Sequence, residues 1–135
     1  MKRINFLIGG VLPILFGLSV LLGGCQKPGE GGTATIVGKV YAKDYDDLGT
    51  LISEFYAPDE DVYIIYGGGT SLHDDRYVTT FDGSFRFQYL TKGEYTVFVY
   101  SDCDTCASGI EAISQTVSIT SNGEDIVLDD LVIRK

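Results

Sequence analysis

Phe85, Phe87 and Tyr89 fall on one side of an extended chain, while Ser84, Arg86 and Gln88 fall on the other. Successive side chains of a strand point to opposite faces, so this alternation marks a strand with one face buried. A helix cannot bury such a pattern. The same period of two returns where Ile113, Val117 and Ile119 oppose Ser114, Thr116 and Ser118. Further strands are expected at 36–43, 61–66, 75–81, 94–101 and 126–133, which with 84–89 and 111–120 make seven. Gly38, inside the first, marks a bulge or a close approach of another segment. Asp82-Gly83, between 75–81 and 84–89, is a hairpin signal. Short strands separated by Gly and Asn turns suggest an all-β sandwich. Residues 44–60 are long for a loop, with room for a short helix at 46–55. Loops of that length are often functional or mobile.

The first 24 residues obey different rules. Lys2 and Arg3 precede an apolar stretch from Ile4 to Leu22, interrupted by Asn5, Pro13, Ser19 and several glycines. A charged start, an apolar middle and small residues before a cut are marks of an export signal. An apolar run of about 20 residues is long enough to span a bilayer, but Pro13 and the glycines make this one a poor spanning helix. No basic cluster follows it as a stop signal. It ends in Leu22-Gly23-Gly24-Cys25, which resembles the lipobox of bacterial lipoproteins. That resemblance implies cleavage before Cys25, lipidation of its thiol, and anchoring by several acyl chains, more than the two signals stable anchoring needs. Gln26 stands where an aspartate retains such proteins in the inner membrane, so the resemblance points to the outer membrane of a Gram-negative bacterium.

With Lys2 and Arg3 removed, 8 basic residues face 19 acidic ones, a net charge of −11. That balance argues against nucleic acid as a partner and against docking on anionic lipid by charge, since both need basic surface. Residues 25–33 contain the lipidated cysteine and the run Gln-Lys-Pro-Gly-Glu-Gly-Gly, which reads as a flexible tether. Residues 34–135 then form one domain, long enough to build a single core.

Within that domain, Thr80-Phe81-Asp82-Gly83-Ser84-Phe85-Arg86-Phe87-Gln88-Tyr89-Leu90-Thr91-Lys92-Gly93-Glu94-Tyr95-Thr96-Val97 resembles the carboxypeptidase regulatory-like domains, also called transthyretin-like or prealbumin-like. Their pattern is a threonine, a turn glycine, a Phe-x-Phe strand, a leucine and a Gly-x-Tyr-x-Val strand. Val37-Gly38-Lys39-Val40 matches their opening strand. The resemblance implies a seven-stranded Greek-key-type sandwich. The matched residues Gly38, Thr80, Gly83, Phe85, Phe87, Leu90, Gly93, Tyr95 and Val97 are folding residues: Gly83 relieves the turn, Gly93 permits a positive backbone angle, and Leu90 and Tyr95 plug one end. Such domains serve as stabilising or binding modules, and the motif itself carries no chemistry.

Three groups of residues are candidates for function. Cys103-Asp104-Thr105-Cys106 offers two thiols that, once exported, meet an oxidising environment. A local disulfide is the favoured reading, stabilising by about 2 kcal/mol through loop closure. A redox-active pair is the second reading. Reactive cysteines gain from a helix N-terminus, whereas Asp102 and Asp104 flank this thiol and should raise its pKa. A zinc site needs about four ligands; beyond the pair the chain has one histidine, His73, and no metal is expected.

Acidic clusters at Asp44, Asp46 and Asp47, at Asp59, Glu60 and Asp61, and at Asp74 and Asp75 lack calcium-loop spacing and read as solvated charge. Nine tyrosines and no tryptophan leave room for an exposed aromatic strip built from Tyr63, Ile65 and Tyr66 or from Phe98 and Tyr100. Aromatics are also ordinary strand residues. Gly67-Gly68-Gly69-Thr70 lacks the Gly-Lys-Ser/Thr of a phosphate loop. No serine stands in a nucleophile elbow, so neither a catalytic triad nor a cofactor is expected.

The combined expectation is a non-enzymatic, lipid-anchored β-sandwich of the cell envelope that contacts a protein or a glycan. A thiol–disulfide or metal-handling lipoprotein acting through Cys103 and Cys106 is the alternative, and a purely structural envelope component is a third.

Overall fold

A computed structural model of the chain describes residues 27–69 and 72–135, so the expected signal segment and Cys25 lie outside the described residues. Strand β1 (Glu30–Tyr45) organises the first sheet. Ala34, Ile36, Gly38, Val40 and Ala42 turn inward and are buried, while Val37, Lys39, Tyr41 and Lys43 face out. Both of its edges are hydrogen-bonded. Antiparallel β2 (Leu51–Tyr56) and β5 (Ser84–Leu90) share one edge; β8 (Asp125–Val127) and β9 (Leu131–Arg134) run parallel along the other. The second sheet has the order β4-β3-β6-β7, from β3 (Asp61–Tyr66), β4 (Asp75–Val78), β6 (Gly93–Asp102) and β7 (Ile110–Ile119). Ile36, Val40, Phe85, Phe87 and Ile133 of the first sheet belong to one core with Val62, Ile64, Tyr95 and Val97 of the second. The expected all-β, two-sheet arrangement is present.

Among the described residues nine strands stand where seven were expected, for two reasons. The segment that had room for a helix at 46–55 contains strand β2 instead. The single strand expected at 126–133 is broken: Ile126 pairs with Ile36 but Leu131 pairs with Val40, so one extra residue is inserted between β8 and β9. Such a bulge bends a strand. Here it lets buried Leu128 tuck beneath Gly38, where a Cβ would lie 3.3 Å from Leu128 Cβ and 2.5 Å from Phe85 Cζ. Gly38 is thus a point of close approach.

Three other expectations change. Asp82-Gly83 forms a tight turn, with Gly83 at φ 74° and Gly83 N–H donating to Thr80 O at 2.9 Å. It does not close a hairpin, because β4 pairs with β3 while β5 pairs with β1; the turn carries the chain from one sheet to the other. Tyr89 leaves the face it was expected to share with Phe85 and Phe87: its φ is 60°, it is 68% exposed, and Leu90 fills the core instead. The register of β1 against β5 shifts opposite it, between Ala34 and Ile36. Finally, β1 begins at Glu30, inside the run 25–33 that read as tether.

Tyr95 explains that early start. Its ring is fully buried, and its hydroxyl donates to Thr91 O at 2.8 Å, four residues upstream, the geometry of a tyrosine corner. The same oxygen accepts from Gly29 N–H at 2.9 Å. Thr91 N–H donates to Gly29 O at 2.8 Å, and Thr91 Oγ1 donates to Lys27 O at 2.9 Å. Gly93, at φ 146°, lets Pro28 close over it; a Cβ there would meet Pro28 Cγ at 2.4 Å. Leu90, Thr91, Gly93 and Tyr95 therefore seal one end of the sandwich and bind the chain's entry to it. Replacing Tyr95 with Phe leaves Gly29 N–H and Thr91 O without this partner inside the protein. It should cost about 1–3 kcal/mol, read from urea unfolding of residues 26–135; an unchanged midpoint would remove the corner's role.

Candidate functional site: an aromatic cluster on the outer face of the second sheet

Alternation along β3 and β6 buries Val62, Ile64, Tyr95, Val97 and Val99, and so places Tyr63, Ile65, Phe98 and Tyr100 on the outer face. The strand register makes Tyr63 and Phe98 direct cross-strand partners, and their rings stack with centroids 5.1 Å apart at 22°. Tyr100 meets both edge-on, at 5.6 Å from Phe98 and 5.8 Å from Tyr63, and remains 47% exposed. His73, from the loop after β3, lies 4.5 Å from the Tyr63 ring. The two alternatives for the aromatic strip are thus parts of one cluster. Tyr66 is not part of it, because it packs edge-on against Tyr95 at the sealed end.

Polar side chains frame the rings. Arg76, cross-strand from Tyr63, forms an ion pair with Asp61 at 3.1 Å. On the other flank, Ser114 is cross-strand from Phe98, and Thr116 lies beside Thr96 with their hydroxyls 3.1 Å apart. Where β3 begins and β6 ends, a cleft of about 280 Å³ is lined by Asp61, Tyr63, Tyr100, Asp102, Ile110 and Lys135 among others. Burial raises the Tyr63 pKa above its usual value, with Asp61 adding to the effect and Arg76 opposing it. The phenol therefore stays protonated at neutral pH and can donate as well as accept.

The Cys103–Cys106 disulfide is formed, in the loop joining β6 to β7. Cys106 N–H donates to Cys103 O, and Cys103 N–H donates to Gly109 O at 2.9 Å. The first cysteine thus follows a strand. Glu111 stands close enough for a carboxylate oxygen to fall within 4.8 Å of both sulfurs. With the sulfurs bonded to each other, no thiolate pair is available to a metal in this state.

The acidic residues that formed clusters in sequence largely separate into local roles. Asp46 Oδ1 accepts from the amides of Leu48 and Thr50 at 3.0 and 2.7 Å, Asp74 accepts from Tyr66 N–H at 2.6 Å, and Glu60 pairs with Lys135. A convergence that sequence did not reveal brings Asp46 and Asp47 to one cleft with Asp102 and Asp104. Arg134 lies in that cleft, bonded to Asp104 at 2.9 Å and placed over the Tyr45 ring.

No protein-family model and no curated protein matches this chain. Among solved structures, it is similar to a Pseudomonas aeruginosa protein proposed to bind carbohydrate, at 12% identity over 75% of this chain and 90% of that one, with a TM-score of 0.48. It is also similar to (S)-allantoin synthase, at 12% identity over 76% of this chain and 42% of that one, with a TM-score of 0.44. These are partial likenesses of shape and assign no residue here a role.

Two measurements test the local assignments. Replacing Cys103 and Cys106 together with Ala should lower stability by about 2 kcal/mol, the loop-closure contribution; equal urea midpoints would show the bridge to be silent. Tyr66 has its pKa pushed up to about 12, by burial first and then by Asp75, Glu30 and Asp74. An unfolded tyrosine titrates near 10, so the fold favours the protonated ring. That contribution is complete below about pH 10 and is lost as pH rises through about 12. Wild type should lose stability across that window more steeply than Tyr66→Phe, and parallel curves would refute the assignment.

Proposed function

We propose that the chain is a lipid-anchored, non-catalytic module of the cell envelope that binds glycan on the outer face of its second sheet. The cluster of Tyr63, Phe98 and Tyr100 carries the proposal. A sugar ring offers an apolar C–H face and a rim of hydroxyls. An aromatic group offers the matching apolar body, and tyrosine adds a polar tip. Asp61, Arg76, Ser114 and Thr116 supply donors and acceptors beside the rings. The adjoining cleft supplies Asp102 and Lys135. A surface of this kind suits a neutral or hydroxyl-rich ligand better than an anionic polymer, given the net charge of −11 after loss of Lys2 and Arg3.

Anchoring is supported by Leu22-Gly23-Gly24-Cys25. The run Thr80 to Val97 supports kinship with the carboxypeptidase regulatory-like modules, which commonly serve as appendages. The outer membrane is the proposed location, from Gln26.

The test is a glycan array probed with residues 26–135, followed by calorimetry on any glycan bound. Tyr100→Ala should weaken binding about tenfold, near 1.4 kcal/mol, with its melting temperature unchanged. The Cys103→Ala/Cys106→Ala variant should bind as wild type does. A folded domain that binds nothing on a broad array, or whose binding ignores Tyr100, would sink the glycan reading.

A further inference from the structure

We infer that the sealed end of the sandwich, around Gly29, Thr91 and Tyr95, rests directly on the bilayer, with the Cys103–Cys106 loop held away from it. The inference rests on the lipid anchor read at Cys25 and goes beyond it, because an anchor alone leaves the orientation of a tethered domain free. The length of chain between lipid and fold decides the matter. Lys27 O is already bound by Thr91 Oγ1, and Gly29 is bound by both Tyr95 and Thr91. Only two steps of chain separate Cys25 from Lys27. At no more than about 3.6 Å per residue they reach about 7 Å. A tether running to residue 33 would have let the domain swing freely. A two-residue link keeps Thr91 within about a headgroup's depth of the acyl chains.

One side chain at this end suits a lipid interface. Tyr89, next to Leu90, is 68% exposed and held at φ 60°. That backbone angle is costly for a non-glycine residue and persists where surrounding structure enforces it. Its consequence is an aromatic ring with a polar tip turned outward at the membrane-proximal end, the residue type that settles at bilayer interfaces. Lys27 and Lys92 are exposed here, but Glu30, Glu94, Asp74, Asp75, Glu124 and Asp125 gather at the same end, so the short tether and not charge holds the seat. At the opposite end Asp46, Asp47, Asp102 and Asp104 share one cleft with Arg134 and Lys135. Strand β6 runs from Gly93 at the seat to Asp102 beside the disulfide loop. At about 3.3 Å per residue the loop stands about 30 Å farther out.

The chain has no tryptophan, so a single one introduced by substitution reports its own depth. The experiment uses the full-length lipidated chain in phosphatidylethanolamine/phosphatidylglycerol vesicles bearing headgroup nitroxides, as Tyr89→Trp or Ser108→Trp. Tyr89→Trp fluorescence should be quenched at least twofold and Ser108→Trp fluorescence left unchanged. Inserting about ten Gly/Ser residues between Gln26 and Lys27 should abolish the difference. Equal quenching at both positions, or a difference that survives the insertion, overturns the seat while leaving the anchor intact. Intact mass separates the two ideas: a chain without lipid on Cys25 overturns the anchor and the seat together.

Discussion

Everything in the first sheet depends on hydrogen bonding along both edges of β1. That strand pairs with β5 and β2 on one edge and with β8 and β9 on the other, so four segments from across the chain meet on it. An unpaired buried backbone group is costly, and β1 is the inner strand with Ala34, Ile36, Val40 and Ala42 fully buried. Its edges are completed only when the last ten or so residues arrive. Pairings so distant in sequence carry the full cost of loop closure. The first sheet therefore reaches its final form only after β8 and β9 have joined β1.

Strands with one buried face were legible in the sequence, and those without one were not. β3, β5, β6 and β7 alternate because the core lies on one side of each. β2 has no buried face: Leu51, Ile52, Phe55 and Tyr56 are all partly exposed, and their spacing of one, three and four suggests a helix as readily as a strand. The break between β8 and β9 depends on how Leu128 packs under Gly38, a contact between distant segments that no local pattern encodes. Asp82-Gly83 was legible as a turn, but whether its flanking strands share a sheet is decided by tertiary pairing. Tyr89 shows how one bulge reverses an assignment, since a slip of a single residue sends a side chain to the opposite face.

The aromatic cluster was legible as ingredients and not as a site. Tyr63 and Phe98 lie far apart in sequence, and only the register of β3 against β6 sets them ring to ring. Tyr66 belonged to the same short motif, yet parity places it against Tyr95 at the end of the core. The cysteine pair was the opposite case. Its short spacing, with the expected export, favoured a local bridge over the redox and metal readings, and the bridge is formed.

The parallel pairing of β1 with β8 and β9 has a mechanical consequence. The N-terminal end of β1 lies at the sealed end of the domain, while β9 runs in the same direction and ends at the opposite side. A pull between the start of β1 and the end of β9 thus acts along the strands. Such a load shears the rungs joining β1 to β8 and β9 together and does not peel them apart one by one. Shear geometry resists force far better than peeling does, so the fold withstands tension applied between its first strand and its last.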